Sequence, residues 1–138
     1  MTDRKKSLAE TWDAVWNRGE VDHVDSLLRP GYVRHSGTGD HNADHLKASV
    51  AAARLAFPDL HVVVEDCLEE GDRLATRWNG TATHTGSYLG VPPTGRALTV
   101  SGVTISRFEG ATIAEEWVTW DPRGLLGALG IISLGNSA

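Results

Sequence analysis

The residues best suited to chemistry lie near the end of the sequence, in the run ATIAEEWVTWDPRGLLGALG at 111–130. A strand over 113–120 puts Ile113, Glu115, Trp117, Thr119 and Asp121 on one face and Ala114, Glu116, Val118 and Trp120 on the other. One face then carries two carboxylates with an indole between them. A carboxylate against indole surface is poorly hydrated, so its pKa rises toward the range of a general acid or base. Asp121 is the first candidate for proton transfer and Glu115 the second, while Glu116 is expected to face away and lie exposed. Asp121 has a structural alternative: with Pro122 next to it, it can cap a helix over 123–129.

Other groups add to this set. Tyr32-Val33-Arg34-His35 reads as a short strand followed by the loop Ser36-Gly37-Thr38-Gly39-Asp40. Tyr32 and Arg34 face one way, Val33 and His35 the other. A histidine at such a strand end can either reach a cavity or bond the loop. His41 and His45 stand four apart, which is metal-ligand spacing, but no third ligand is in register and no metal site is expected. The single Cys67 excludes an internal disulfide and any multi-cysteine metal centre. Ser87, Ser101 and Ser106 sit in no nucleophile elbow, and no Gly-rich dinucleotide loop follows a strand.

The elements that hold these groups follow from periodicity. Apolar residues at spacings of three and four predict helices over 6–18 (Leu8, Trp12, Val15, Trp16), 20–28 and 42–57, the last capped by Asn42 and ended by Pro58. Alternation predicts strands over 60–68, 73–84, 96–108 and 113–120. In the second of these, Leu74, Thr76, Trp78, Gly80, Ala82 and His84 share a face. A two-residue turn at Glu109-Gly110 would set Thr104 opposite Glu115, Gly102 opposite Trp117, and Arg107 opposite Thr112 on the other face. Gly102 would leave room for the Trp117 indole, and a one-residue slip would reverse the faces. Helices first and long antiparallel strands after is an α+β order, in one domain over 1–138. A curved sheet around the helices would enclose a cone-shaped cavity. Net charge is −5, and Arg4-Lys5-Lys6 is the longest basic run, so neither nucleic acid nor an anionic membrane is an expected partner. No apolar run reaches the roughly 20 residues of a membrane span, and a cytoplasmic location is expected. Ala75, Val103 and Ile105 give the outer face enough apolar surface for a homodimer.

In their order, YVRH at 32–35, FPDLHVVVED at 57–66, RW at 77–78, THTGSYLGVPPTGR at 83–96 and EEWVTWDPRGLLGALG at 115–130 resemble the SnoaL-like polyketide cyclases. That family lies within the nuclear-transport-factor-like α+β barrels, and the resemblance covers 8–130. It implies a cone-shaped barrel, a curved antiparallel sheet wrapped around three N-terminal helices, with an apolar pocket for a small polycyclic substrate. It also implies intramolecular aldol cyclisation without metal or organic cofactor. Asp121 would be the acid/base and His35 its assistant. Trp117, Trp78, Trp16, His84, Tyr32 and Arg107 would contact substrate. Arg107 stands where the cyclases carry a histidine; an arginine stays protonated and cannot relay a proton. That departure keeps a second activity open, a polyketide hydroxylase component working with a partner reductase. A non-catalytic binding or dimerisation module is the third reading, because this fold hosts many functions.

Overall fold

Period-two alternation shapes most of the sheet. The structure, a computed structural model, describes residues 2–130. In chain order its elements are α1 (Asp3–Trp12), a π-helical turn (Asp13–Asn17), a 3-10 turn (Val21–Ser26), β1 (Leu28–Ser36), β2 (Gly39–His41) and α2 (Ala43–Ala56). Then follow β3 (His61–Glu70), β4 (Arg73–Thr83), β5 (Ala97–Glu109), β6 (Thr112–Trp120) and α3 (Pro122–Ala128). The strands form one mixed six-stranded sheet in the order β2-β1-β6-β5-β4-β3, so the architecture is α+β, as expected. No helix among the described residues is long and apolar enough to cross a membrane.

Three expectations are corrected here. The segment read as a second helix is a 3-10 turn, and Leu28 already belongs to β1. The sheet is not wholly antiparallel, because β1 runs parallel to β6. The first helix does not stay regular to residue 18: its last turn widens into the π-helical turn, a device that often marks functional sites. Asn17, at the end of that turn, extends the β3 ladder with its side chain. Its amide accepts from Val62 N (2.7 Å) and donates to Val62 O (3.0 Å), which occupies part of an otherwise bare sheet edge.

The helices cover the sheet's inner face, and the core lies between. One cluster joins Leu8, Leu27, Tyr32, Leu74, Phe108 and Ile113. A second joins Ala56, Phe57, Leu60, Ala82, Leu98, Leu125 and Leu129. A third joins Val15, Val24, Leu46 and Val50, and Trp16 packs against both this and the second cluster. Leu74, Phe108 and Ile113 are almost completely removed from water, each worth about 1.5–3 kcal/mol of transfer free energy.

Register decides which groups meet. The β5–β6 turn is Gly110-Ala111, with Gly110 at φ 65°, a left-handed conformation that glycine adopts without cost. The ladder then shifts: Phe108 pairs with Ile113 but Arg107 with Glu115, leaving Ala114 as the extra residue of a β-bulge. Past the bulge, Ser106 lies opposite Glu116, Thr104 opposite Val118 and Gly102 opposite Trp120. The predicted pairs of Thr104 with Glu115 and Gly102 with Trp117 are therefore wrong, and the faces of the two glutamates are exchanged.

Candidate active site

The exchange sends Glu116 inward. Its side chain is buried, with 5% of the residue exposed, between β1 and β5. Tyr32 Oη donates to one carboxyl oxygen, and Ser106 Oγ donates to the other at 2.5 Å. Burial pushes this carboxyl's pKa above the usual range. The hydroxyls of Ser106 and Tyr32, and then the charge of Arg34 across the β1–β6 ladder, pull the other way. Burial also raises the Tyr32 phenol, and the Glu116 charge adds to it, so Tyr32 stays a proton donor in this pair. The expectation that Glu116 is exposed is corrected. The sequence carried half of the signal: adjacent glutamates inside a strand present one carboxyl to each face. The bulge, which no residue type announces, decides which.

Beside Glu116 lies a void of about 20 Å³ lined by Trp12, Trp16, Leu27, Leu46 and Ile113 among others. That is room for about one water molecule. The π-helical turn brings Trp16 to this void, and Trp16 also packs on the Phe57 cluster. Trp78 crosses from β4, its indole N–H donating to Thr104 Oγ1 at 3.1 Å. A Cβ on Gly102 would stand 2.4 Å from the Trp78 ring and 2.6 Å from Thr119 O. The space that Gly102 leaves therefore serves Trp78, not Trp117. With Trp120, these give three half-buried indoles: Trp16 and Trp120 against the Phe57 cluster, and Trp78 over Gly102.

Four expected site residues lie elsewhere. Asp121 is exposed and accepts the backbone N–H of Gly124 at 3.0 Å, so it caps α3. His35 is on the outer face, its Nδ1 2.7 Å from Asp40 and its Nε2 2.6 Å from Glu115. Its ring stacks on Trp117 at 5.4 Å, and the Arg73 guanidinium covers the Trp117 indole at 5.0 Å. Arg107 pairs with Glu115 and Glu109, each at 3.2 Å. The hydrogen bond that His35 donates to Glu115, then the one to Asp40, raises the His35 pKa, and the Glu115 carboxyl is lowered chiefly by His35. The expectation that Asp121 and His35 face one hollow with Trp117 and Arg107 is therefore corrected: the bulge turns Glu115, Trp117 and Asp121 to the outer face, where Arg107 of β5 already lies and where His35 of β1 pairs beside Trp117. An open hollow of about 370 Å³ does lie against it, lined by Arg29, Val33, Arg107, Glu109 and Glu115 among others. Its charges already satisfy one another, with Arg29 on Glu109 at 3.0 Å, and it offers no buried acid.

His84 is on the inner side as read, fully buried and tilted against Phe57 at 5.5 Å. Its Nδ1 accepts the Thr94 backbone N–H at 3.2 Å and lies 3.0 Å from Thr94 Oγ1. An amide N–H only donates, so the ring proton belongs on Nε2, which has no partner among the described residues. Such an unmet donor costs about 1–3 kcal/mol. His41 and His45 stack face to face at 3.6 Å, and no group of three or more metal-ligand side chains occurs among the described residues.

The geometry has relatives. The chain is 32% identical to AclR from Streptomyces galilaeus, a proposed hydroxylase, at a TM-score of 0.85 over 94% of this chain and 82% of that one. It is 27% identical to a proposed polyketide cyclase from Acidithiobacillus ferrooxidans, at 0.84 over 94% and 96%. IdmH from Streptomyces antibioticus, another proposed polyketide cyclase, is 27% identical at 0.81 over 92% and 98%. No curated protein matches the chain. The sequence model of the SnoaL-like polyketide cyclases matches residues 6–129, nearly the whole of the described chain, and with the fold and these structural relatives it places the protein in that family.

Proposed function

We propose that the protein is a polyketide cyclase-like enzyme that closes a ring of an aromatic polyketide by intramolecular aldol addition. The observation that carries this reading is the half-buried inner surface formed by Trp16 and Trp120 against the Phe57 cluster, beside the half-buried Val62, Tyr88 and Val100, with Trp78 over Gly102. Flat aromatic surface suits a fused-ring substrate and binds it with little loss of conformational entropy. Aldol addition moves a proton and forms a carbon–carbon bond, with no change of oxidation state and hence no demand for a redox cofactor. Holding the two carbonyl groups in contact supplies up to about 7–11 kcal/mol of the barrier. The enzyme would act in the cytoplasm, as a homodimer whose outer sheet faces meet.

The test is turnover. The full chain is incubated with an aromatic polyketide one bond short of ring closure, without NADPH or a reductase, and the product is followed by mass. An isomeric ring-closed product, or its dehydrated form, is the expected result. A hydroxylase component is the second reading, favoured by the 32% identity to AclR. Consumption of NADPH with a partner reductase, together with an added oxygen atom in the product, would replace the first reading with the second.

A further inference from the structure

We propose that Glu116 is the proton-transfer group of this enzyme, positioned by Tyr32 and Ser106, and that it acts on the carbon next to a ketone of the bound polyketide. The inference rests on the cyclase reading and supplies the acid/base that Asp121, committed to its cap, does not.

Three features of the geometry lead to it. First, the carboxyl has capacity left. An ionised carboxylate offers about four acceptor positions, and Tyr32 and Ser106 occupy two. Second, Glu116 borders the small void beneath Trp12 and Trp16, so its side chain meets space as well as protein. Third, Trp16 lines that void and also packs on the cluster that leaves the indoles half-exposed. Trp16, carried on the π-helical turn, is thus the side chain that stands between the void and the Phe57 cluster. The outer cluster borders the wider hollow, but its groups are spent on one another: both ring nitrogens of His35 are engaged, and Arg107 is paired with Glu109 and Glu115.

The step balances without a co-reactant. Glu116, as carboxylate, takes a proton from the carbon alpha to one ketone, and the bonding pair becomes the enolate. The enolate carbon bonds to the second carbonyl carbon, whose π pair moves to its oxygen. The protonated Glu116 then returns the proton to that alkoxide. Burial brings the carboxyl's affinity for a proton closer to that of its task, and the two hydroxyls keep the carboxylate accessible. Tyr32 and Ser106 are positioning residues.

The experiment compares Glu116→Gln, Tyr32→Phe and Asp121→Asn in the full chain, each checked for an unchanged circular dichroism spectrum. Glu116→Gln should cyclise at least about a hundredfold more slowly. Asp121→Asn, which keeps an acceptor at the cap, should cyclise at the wild-type rate. Tyr32→Phe removes a bond that favours the carboxylate, so the acid limb of its kcat/KM profile should move to higher pH. A purely structural tyrosine would leave that limb in place. Wild-type turnover in Glu116→Gln overturns the proposal. A second measurement does not depend on turnover. Anthraquinone added to the wild-type chain should shift an infrared carboxyl band that is missing from Glu116→Gln. If the wild type cyclises nothing but the band shifts, the cyclase reading fails and Glu116 remains a ligand contact; if no band shifts, the contact itself fails.

Discussion

Asp121 illustrates how one side chain type serves two ends. Its carboxylate meets the Gly124 N–H at the start of α3, where unpaired amides and the helix dipole both favour a negative charge. Asp121→Ala should therefore destabilise the protein by about 0.5–2 kcal/mol, seen as a lower midpoint in urea, whereas Asp121→Asn should sit close to wild type. His35 makes a prediction of opposite character. Its pKa is raised by Glu115 and Asp40, so the stabilisation it provides is fully present below the ordinary histidine value of about 6.5 and is lost as pH rises through the elevated one. Glu115 is lowered, chiefly by His35, so its contribution is present above the usual glutamate value of about 4.3 and fades as pH falls through the depressed one. The thermal midpoint of His35→Gln should thus fall furthest below wild type near pH 5–6 and approach it near pH 9. An equal deficit at both pH values would show that the histidine acts through stacking on Trp117 rather than through charge.

At the scale of elements, the close approach between β4 and β6 over Gly102 is the tightest constraint. Gly102→Ala pushes a methyl group into the Trp78 ring and into a backbone carbonyl of β6 that has no freedom to rotate away. Overpacking of this kind costs typically about 1–3 kcal/mol, and denaturant unfolding should report it together with a changed Trp fluorescence. The glycine's role as a space-maker was legible in the sequence, and the identity of its occupant was not. The difference traces to the turn at Gly110-Ala111, which moves the register by two residues, and to the bulge, which moves it by one more and exchanges the faces of β6. Alternation in β4 is regular, so the row Leu74, Thr76, Trp78, Gly80, Ala82 could be read directly and lies inward as read. β6 contains Ala114 as an extra residue, and period-two reading across it gives the wrong face for Glu115, Glu116 and Trp117 alike. The parallel β1–β6 pairing was equally hidden, because it depends on a contact between segments some 80 residues apart. Val21, Val24 and Leu27 fit a helical stripe as well as they fit the 3-10 turn they form, since both repeat near every third residue. The π-helical turn preserves the apolar spacing of Trp12, Val15 and Trp16, so periodicity could not reveal it.

The same inversion that buried Glu116 shaped the outside of the molecule. Register aligns Leu68, Ala75, Ile105, Trp117 and His35 as neighbours across five adjacent strands of the outer face. Leu68 is 69% and Ile105 37% exposed, and Val103, at 41%, extends the strip on the next row. The apolar part of this strip runs from Leu68 to Ile105 and Val103, before Arg73 covers Trp117 and His35 meets its carboxylates, and it suits burial against a second copy. A stable pair of this kind buries about 800 Å² per partner. The wild-type chain should therefore sediment at twice its 14.8 kDa mass at micromolar concentration. Ile105→Lys places a charge at the middle of the band without touching the inner face, so it should shift the species toward monomer while leaving the circular dichroism spectrum unchanged. A wild-type monomer at 100-fold higher concentration would remove the homodimer from this reading. A dimer indifferent to Ile105→Lys would move the interface to another face.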